Sequence, residues 1–85
     1  MNFSLAPDVS MADTGQSMIL LDERSGRYWQ LNATGAVVVR LLLRGDSVQE
    51  VVAELGRRHP GAVRRIAADV AELMHSLKQA RVVLT

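Results

Sequence analysis

The sequence predicts a single α+β domain in which a three-stranded antiparallel sheet precedes a three-helix bundle. Residues 8–31 alternate short apolar runs with turn-forming residues, whereas residues 33–80 repeat apolar side chains at helical spacing. The chain has 85 residues, of which 48% are hydrophobic, so we expect one domain over residues 1–85 with a small core. Cysteine is absent, which excludes disulfides and thiolate-bound metals and makes a reducing cytoplasm the expected compartment.

Three segments have the pattern of strands. The first is expected at residues 8–12, where Val9 and Met11 alternate with polar neighbours. Residues 18–21 are apolar at four consecutive positions, which favours a central strand covered on both faces. After turn residues that end in Gly26, which is free to take positive φ, residues 27–31 should return antiparallel at an edge of the sheet.

Capping residues mark the starts of the helices. Asn32 is predicted to cap a largely buried helix over residues 33–43, and Ser47 and Glu50 have the spacing of a capping box before a second helix. Pro60 fits the first turn of a third helix that reaches about residue 80. Its apolar residues share one arc: Val63, Ile66, Ala67, Val70, Leu73, Met74 and Leu77.

The two ends of the chain allow two arrangements each. Residues 82–84 are expected to form a terminal strand or to pack on the core. Residues 2–6 are expected to pack on the sheet or to remain loose. The N-terminus does not have the pattern of a secretory signal, and no apolar stretch is long enough to span a bilayer, so no membrane partner is predicted.

The sequence lacks the patterns of an enzyme. His59 and His75 are sixteen positions apart without metal-ligand spacing, the carboxylates lie at turns and helix starts, and no glycine-rich phosphate loop is present. We therefore predict a non-catalytic protein without metal or cofactor.

Nucleic-acid binding is an alternative that the charge supports weakly. Ten basic and nine acidic side chains leave a net charge of +1, whereas phosphate binding favours a concentrated basic face. A winged-helix DNA-binding regulator would use the four arginines near the third helix, but Asp69 and Glu72 interrupt that patch. These arginines are Arg57, Arg58, Arg64 and Arg65.

An ordered set of short segments carries a resemblance to a known family. The segments are Leu20-Leu21-Asp22, the Gly26 turn, Tyr28-x-x-Leu31-Asn32-x-Thr34-Gly35, the helix end near Gly45, Val48-x-x-Val51-Val52, and Asp69-Val70-x-x-Leu73 before Leu77. In this order they resemble the PqqD-like family, the peptide-recognition domains of ribosomally made, modified peptide biosynthesis. The Leu-Asn-x-Thr-Gly form of residues 31–35, in a stand-alone chain of this size, is most similar to the leader-binding protein of lasso peptide pathways.

This resemblance implies a winged-helix-like adaptor that binds the leader segment of a precursor peptide by adding it to the third strand. The adaptor would present the leader to a separate leader peptidase, with a cyclase acting on the released core. Lasso leaders carry spaced Tyr, Pro and Leu residues, which a hydrophobic groove would suit. The alternative within the family is a peptide chaperone for a radical enzyme of the pyrroloquinoline quinone route. A monomer is expected, although an open strand edge also permits a dimer.

In this family the peptide pocket lies between the third strand and the third helix. The resemblance therefore implies that the leader contacts an apolar wall on the third helix, the third strand itself, and Arg27 and Asp69 at the rim. Strand alternation puts Trp29 on the face of Leu31, which favours a packing role for Trp29 and leaves Tyr28 as the more accessible aromatic. The predicted peptide-binding residues are Arg27, Tyr28, Trp29, Gln30, Leu31, Ile66, Asp69, Val70, Leu73 and Met74.

Overall fold

The computed structural model describes residues 3–85 and contains a three-stranded sheet, three α-helices and a small strand pair formed by the two ends of the described chain. This confirms the predicted α+β class. In chain order the elements are β1 (Ser4–Leu5), β2 (Val9–Asp13), β3 (Met18–Asp22), β4 (Tyr28–Leu31), α1 (Ala33–Arg44), α2 (Val48–Arg58), a 3₁₀ turn (Pro60–Ala62), α3 (Val63–Gln79) and β5 (Val83–Leu84).

The sheet has the order β2-β3-β4, and all its pairs are antiparallel. β3 is therefore central and β4 lies at an edge, as predicted. Met18 and Leu20 are completely buried, but Ile19, between them, is 37% exposed. The expectation that β3 is covered on both faces is wrong, because the helices pack on one face of the sheet only.

The N-terminal and C-terminal segments pair with each other. β1 and β5 are antiparallel, with Ser4 opposite Leu84 and Leu5 opposite Val83, and Phe3 is buried beside them. Residues 82–84 thus contribute a terminal strand, and residues 3–6 pack against them. Residue 2 lies outside the described residues.

The predicted caps set the starts of α1 and α2. The Gly35 N–H donates to Asn32 Oδ1 at 2.8 Å. At α2, the Glu50 N–H donates to Ser47 Oγ at 3.1 Å, and the Ser47 N–H donates to Glu50 Oε1 at 2.8 Å. Gly45, at φ +111°, ends α1 in the left-handed conformation that favours glycine.

The prediction that Pro60 belongs to the first turn of α3 is wrong. Pro60 begins a separate 3₁₀ turn in which the Ala62 N–H donates to the His59 carbonyl at 3.0 Å. Ala62 then has φ −120° and ψ 17°, outside the helical range, so α3 begins only at Val63.

One face of α3 closes the core. Ile66, Val70, Met74 and Leu77 are buried, which confirms the centre of the predicted arc. They pack with buried residues of the other helices: Ala36, Val38, Val39 and Leu42 of α1, and Val51 and Leu55 of α2. Val63 and Ala67, at one edge of the same arc, are exposed, so the other elements cover only part of the arc.

A charge pair joins the sheet to α1. Arg40 Nε and Nη2 donate to the two carboxylate oxygens of Asp13 at 2.6 and 2.9 Å. Together with a hydrogen bond from the Gly15 N–H, this pairing lowers the pKa of Asp13 to about 2. β2 is thereby held against α1.

Over residues 3–85, none of the helices combines the length and the apolar character needed to cross a bilayer.

Candidate peptide-binding groove

An open groove of about 410 Å³ runs between β4 and the flank of α3. We call it the β4–α3 groove. Its floor is apolar and its rim is polar. The floor consists of Leu31, Val38, Leu55, Ile66, Val70 and Leu73, and the remaining lining residues are Gln30, Asn32, Thr34, Gly35, Arg65 and Asp69.

The start of α1 leaves space within this groove. A Cβ atom placed on Gly35 would lie 3.4 Å from Leu31 Cβ and 3.8 Å from Leu73 Cδ2, so a larger side chain there would project between the two leucines. Asn32 accepts the Gly35 amide and thereby directs the chain from β4 into the helix. The Asn32-x-Thr34-Gly35 segment therefore shapes one end of the groove.

The backbone of β4 presents unpaired groups to the groove side of the sheet. The Asp22 N–H donates to the Arg27 carbonyl at 2.9 Å, which identifies a hydrogen-bonded pair at the start of the β3–β4 ladder. Hydrogen-bonded and non-hydrogen-bonded pairs alternate along antiparallel strands, so the backbone N–H and C=O groups of Trp29 and Leu31 point toward β3. The N–H and C=O groups of Tyr28 and Gln30 point toward the open edge.

The side chains of β4 divide between two faces. Trp29 is opposite the buried Leu20 and packs, half-buried, against the core on the helix side. The Arg27 guanidinium lies 5.3 Å from the Trp29 ring centroid, within cation–π distance. Tyr28 is on the outer face of the sheet and is 66% exposed.

The structure brings together six of the ten predicted peptide-binding residues. The other four do not line the groove: Arg27, Tyr28 and Trp29 lie toward the far end of β4, and Met74 is buried in the core. The six that line it are Gln30, Leu31, Ile66, Asp69, Val70 and Leu73.

Sequence reasoning missed several lining residues. Arg65 was assigned to the basic patch, but it is four positions before Asp69, and its Nε lies 3.8 Å from Asp69 Oδ2 at the rim. The helical spacing of Arg65 and Asp69 is a signal that could have found it. Val38 and Leu55 come from other helices, and no local pattern places them beside β4.

The chemistry of the groove suits binding. Within residues 3–85, Arg65 and Asp69 are the ionisable residues that line it, and both side chains are largely exposed. No cluster of three or more potential metal ligands occurs among the described residues. An apolar floor beside open backbone groups can hold an extended peptide.

Comparisons with known proteins identify a family and two similar solved structures. The model of the family described as Coenzyme PQQ synthesis protein D (PqqD) matches residues 17–83. The solved structure of "Lasso peptide synthetase B1 complexed with the leader peptide" is 41% identical, with a TM-score of 0.88 and coverage of 98% of both chains. No curated protein matches the chain significantly.

A second solved structure is more distant in sequence. "TbiB1 in Complex with the TbiA(beta) Leader Peptide" is 20% identical to the chain, with a TM-score of 0.82 and coverage of 93% of this chain and 92% of that chain. At this identity the likeness establishes the fold alone.

Proposed function

This chain belongs to the PqqD family, and from that premise we propose that it is a non-catalytic adaptor for the leader segment of a ribosomally made precursor peptide. It holds the leader and presents it to a separate leader peptidase during lasso peptide maturation, with a cyclase acting on the released core. The observation that carries this proposal is the apolar β4–α3 groove beside an open strand edge.

Backbone pairing supplies the first part of the binding energy. An extended leader that adds to β4 pairs with the N–H and C=O groups of Tyr28 and Gln30. Each hydrogen bond contributes about 0.5–1.5 kcal/mol net, because the same groups are hydrated in the free protein. This pairing requires an extended peptide and demands little of its sequence.

Side-chain contacts determine which leader sequences bind. In an added strand, the residues opposite Trp29 and Leu31 point to the helix side, and their neighbours point to the outer face. The residue opposite Leu31 enters the groove between Ile66 and Leu73. Burying one leucine-sized side chain contributes about 1.5–3 kcal/mol. Apolar leader residues two positions apart should therefore act as anchors.

Charged residues contribute a weaker selection at the rim. The Arg65–Asp69 pair is solvent-exposed, so its own interaction is weak and either partner can turn toward a charged leader residue. Tyr28, at the far end of β4, and Arg27, just before it, would contact a longer leader that extends beyond the groove. We therefore retain both residues in the proposed peptide-binding surface.

The adaptor acts by proximity. Holding the leader raises the local concentration of the scissile segment at the peptidase, and the chemistry belongs to that enzyme. The 41% identity to a lasso peptide synthetase B1, over nearly the full length of both chains, supports the lasso pathway over the pyrroloquinoline quinone pathway. DNA binding has less support, because Glu54 already pairs with Arg57 and Arg58.

Titration with a fluorescent leader peptide tests the proposal. The leader comes from the precursor gene nearest to that of this chain, and binding is followed by fluorescence anisotropy. We expect a saturable, salt-tolerant Kd in the micromolar range or tighter, about −8 kcal/mol or better. A scrambled leader and a random duplex DNA are the controls. Salt-dependent DNA binding without leader binding would instead support the regulator.

A further inference from the structure

A second groove, of about 850 Å³, lies between α2 and α3. We call it the α2–α3 groove. On α3 it involves Val63 and Ala67, on the flank of the buried row opposite to Arg65 and Asp69. The two grooves share no lining residue. The residues that line the α2–α3 groove are Val48, Gln49, Val52, Ala53, Gly56, Arg57, Pro60, Val63 and Ala67.

The α2–α3 groove is an exposed apolar surface. Gln49 and Arg57 are its polar lining residues, and the others are apolar. Val63 is 48% exposed, although it is a large hydrophobic residue. Gly56 lets α3 approach closely, since a Cβ atom placed there would be 3.2 Å from Val63 Cγ2. A continuous apolar surface with a polar rim is typical of a protein-binding site.

The charge around this groove is positive. None of its lining residues is acidic, and Arg57 is one of them. Residues 48–67, which span the lining residues, contain four arginines and two glutamates, a net charge of +2, while the whole chain carries +1 and the remainder therefore −1. One of these arginines, Arg65, lies on the opposite flank of α3. Glu54 is shared between Arg57 and Arg58. Arg64, next to Val63, forms no ion pair within residues 3–85.

The positive charge around the α2–α3 groove indicates which kind of protein can bind there. A two-fold dimer through this face would bring the arginines of both copies together, which like-charge repulsion disfavours. We propose that the α2–α3 groove binds a second protein through an apolar segment flanked by acidic side chains. This site goes beyond leader binding, and the adaptor can hold the leader and the second protein on opposite flanks of α3.

NMR titration of the ¹⁵N-labelled protein tests this proposal with two synthetic helical peptides. Both peptides carry leucines on one face, flanked by glutamates in one peptide and by lysines in the other. We expect the glutamate peptide to shift the amides of Val52, Val63 and Ala67 in a saturable way. The lysine peptide should bind at least about tenfold more weakly, because its charges repel the rim.

Two variants of α3 provide a matched pair. Val63→Asp should abolish these shifts, whereas Ala68→Asp, a substitution at another exposed position of α3 outside the groove, should leave them unchanged. Thermal melts establish that both variants fold. Both should bind the leader as the unsubstituted protein does, so failure of this site is distinguishable from failure of leader binding.

Three results would overturn the proposal. The first is that the glutamate peptide causes no saturable shifts at the groove, and the second is that the two peptides bind equally well. The third is that duplex DNA or phosphatidylglycerol vesicles shift these amides while the glutamate peptide does not. That result would assign the face to nucleic acid or to an anionic membrane.

Discussion

Replacing Gln30 with proline tests strand addition at β4 most directly. The Gln30 N–H points toward the open edge, so the substitution removes a group that an added peptide needs and leaves the β3–β4 ladder intact. Proline is tolerated on edge strands where its missing N–H would face solvent. The preceding residue, Trp29, is already in a strand, which suits a residue before proline.

The expected loss follows from the contacts. One backbone hydrogen bond to the leader disappears, at about 0.5–1.5 kcal/mol, and the ring of the proline also crowds the incoming strand. A total of about 1–2 kcal/mol corresponds to a rise in the leader Kd of about 5- to 30-fold. Gln30→Ala retains the backbone N–H and should change the Kd by less than about twofold.

Fluorescence anisotropy measures the leader Kd of each variant, and circular dichroism with a thermal melt compares their folds. If Gln30→Pro and Gln30→Ala bind the leader equally well and both are folded, the leader does not pair with the edge of β4. The proposed geometry would then be wrong, whatever the affinity of the unsubstituted protein.

Three further predictions concern the groove and the fold. Leu73→Glu, in the groove floor, should raise the leader Kd at least about tenfold, because it removes apolar contact with the leader. Leu84→Glu, at an exposed position outside the groove, should leave the Kd unchanged. If anisotropy gives the same Kd for both variants, the leader does not bind in the groove. The lowered pKa of Asp13 stabilises the fold above its unfolded pKa, near 3.8, and this contribution is lost as the pH falls toward about 2. Asp13→Asn has no carboxylate to pair with Arg40, so its Tm should fall less between pH 6 and pH 2.5 than the Tm of the unsubstituted protein. Equal decreases in the two Tm values would contradict this. Gly45→Ala should lower the free energy of unfolding, measured with urea, by about 1 kcal/mol, because residue 45 has φ +111°. An unchanged urea midpoint would show that α1 can end without the left-handed conformation at this residue.

Local features of the fold could be predicted from the sequence. Asn32, Ser47 and Glu50 satisfy backbone amides no more than three residues away, so their spacing alone specifies helix starts. Gly26, with φ +76°, likewise marks a turn by its own conformational freedom. The Leu31-to-Gly35 segment supported the family on the same local basis, and the family match includes it.

The composition of the groove was only partly predictable. Gln30 and Leu31 follow from the position of β4, and Asp69 and Leu73 follow from the flank of α3. Met74 is buried in the core although it belongs to the same apolar arc. Helical periodicity defines an apolar arc, and neighbouring elements determine which part of it they cover.

By itself, the sequence determined the order of the sheet strands and the helices, the caps of α1 and α2 and the edge position of β4, because each depends on residues close together in the chain. Only the tertiary structure decided which surfaces stay open. Val38 and Leu55 reach the β4–α3 groove from different helices, and Val63 stays half-exposed because α2 covers only part of its flank of α3. Such contacts depend on how helices cross and on packing between residues distant in sequence, which local spacing does not encode.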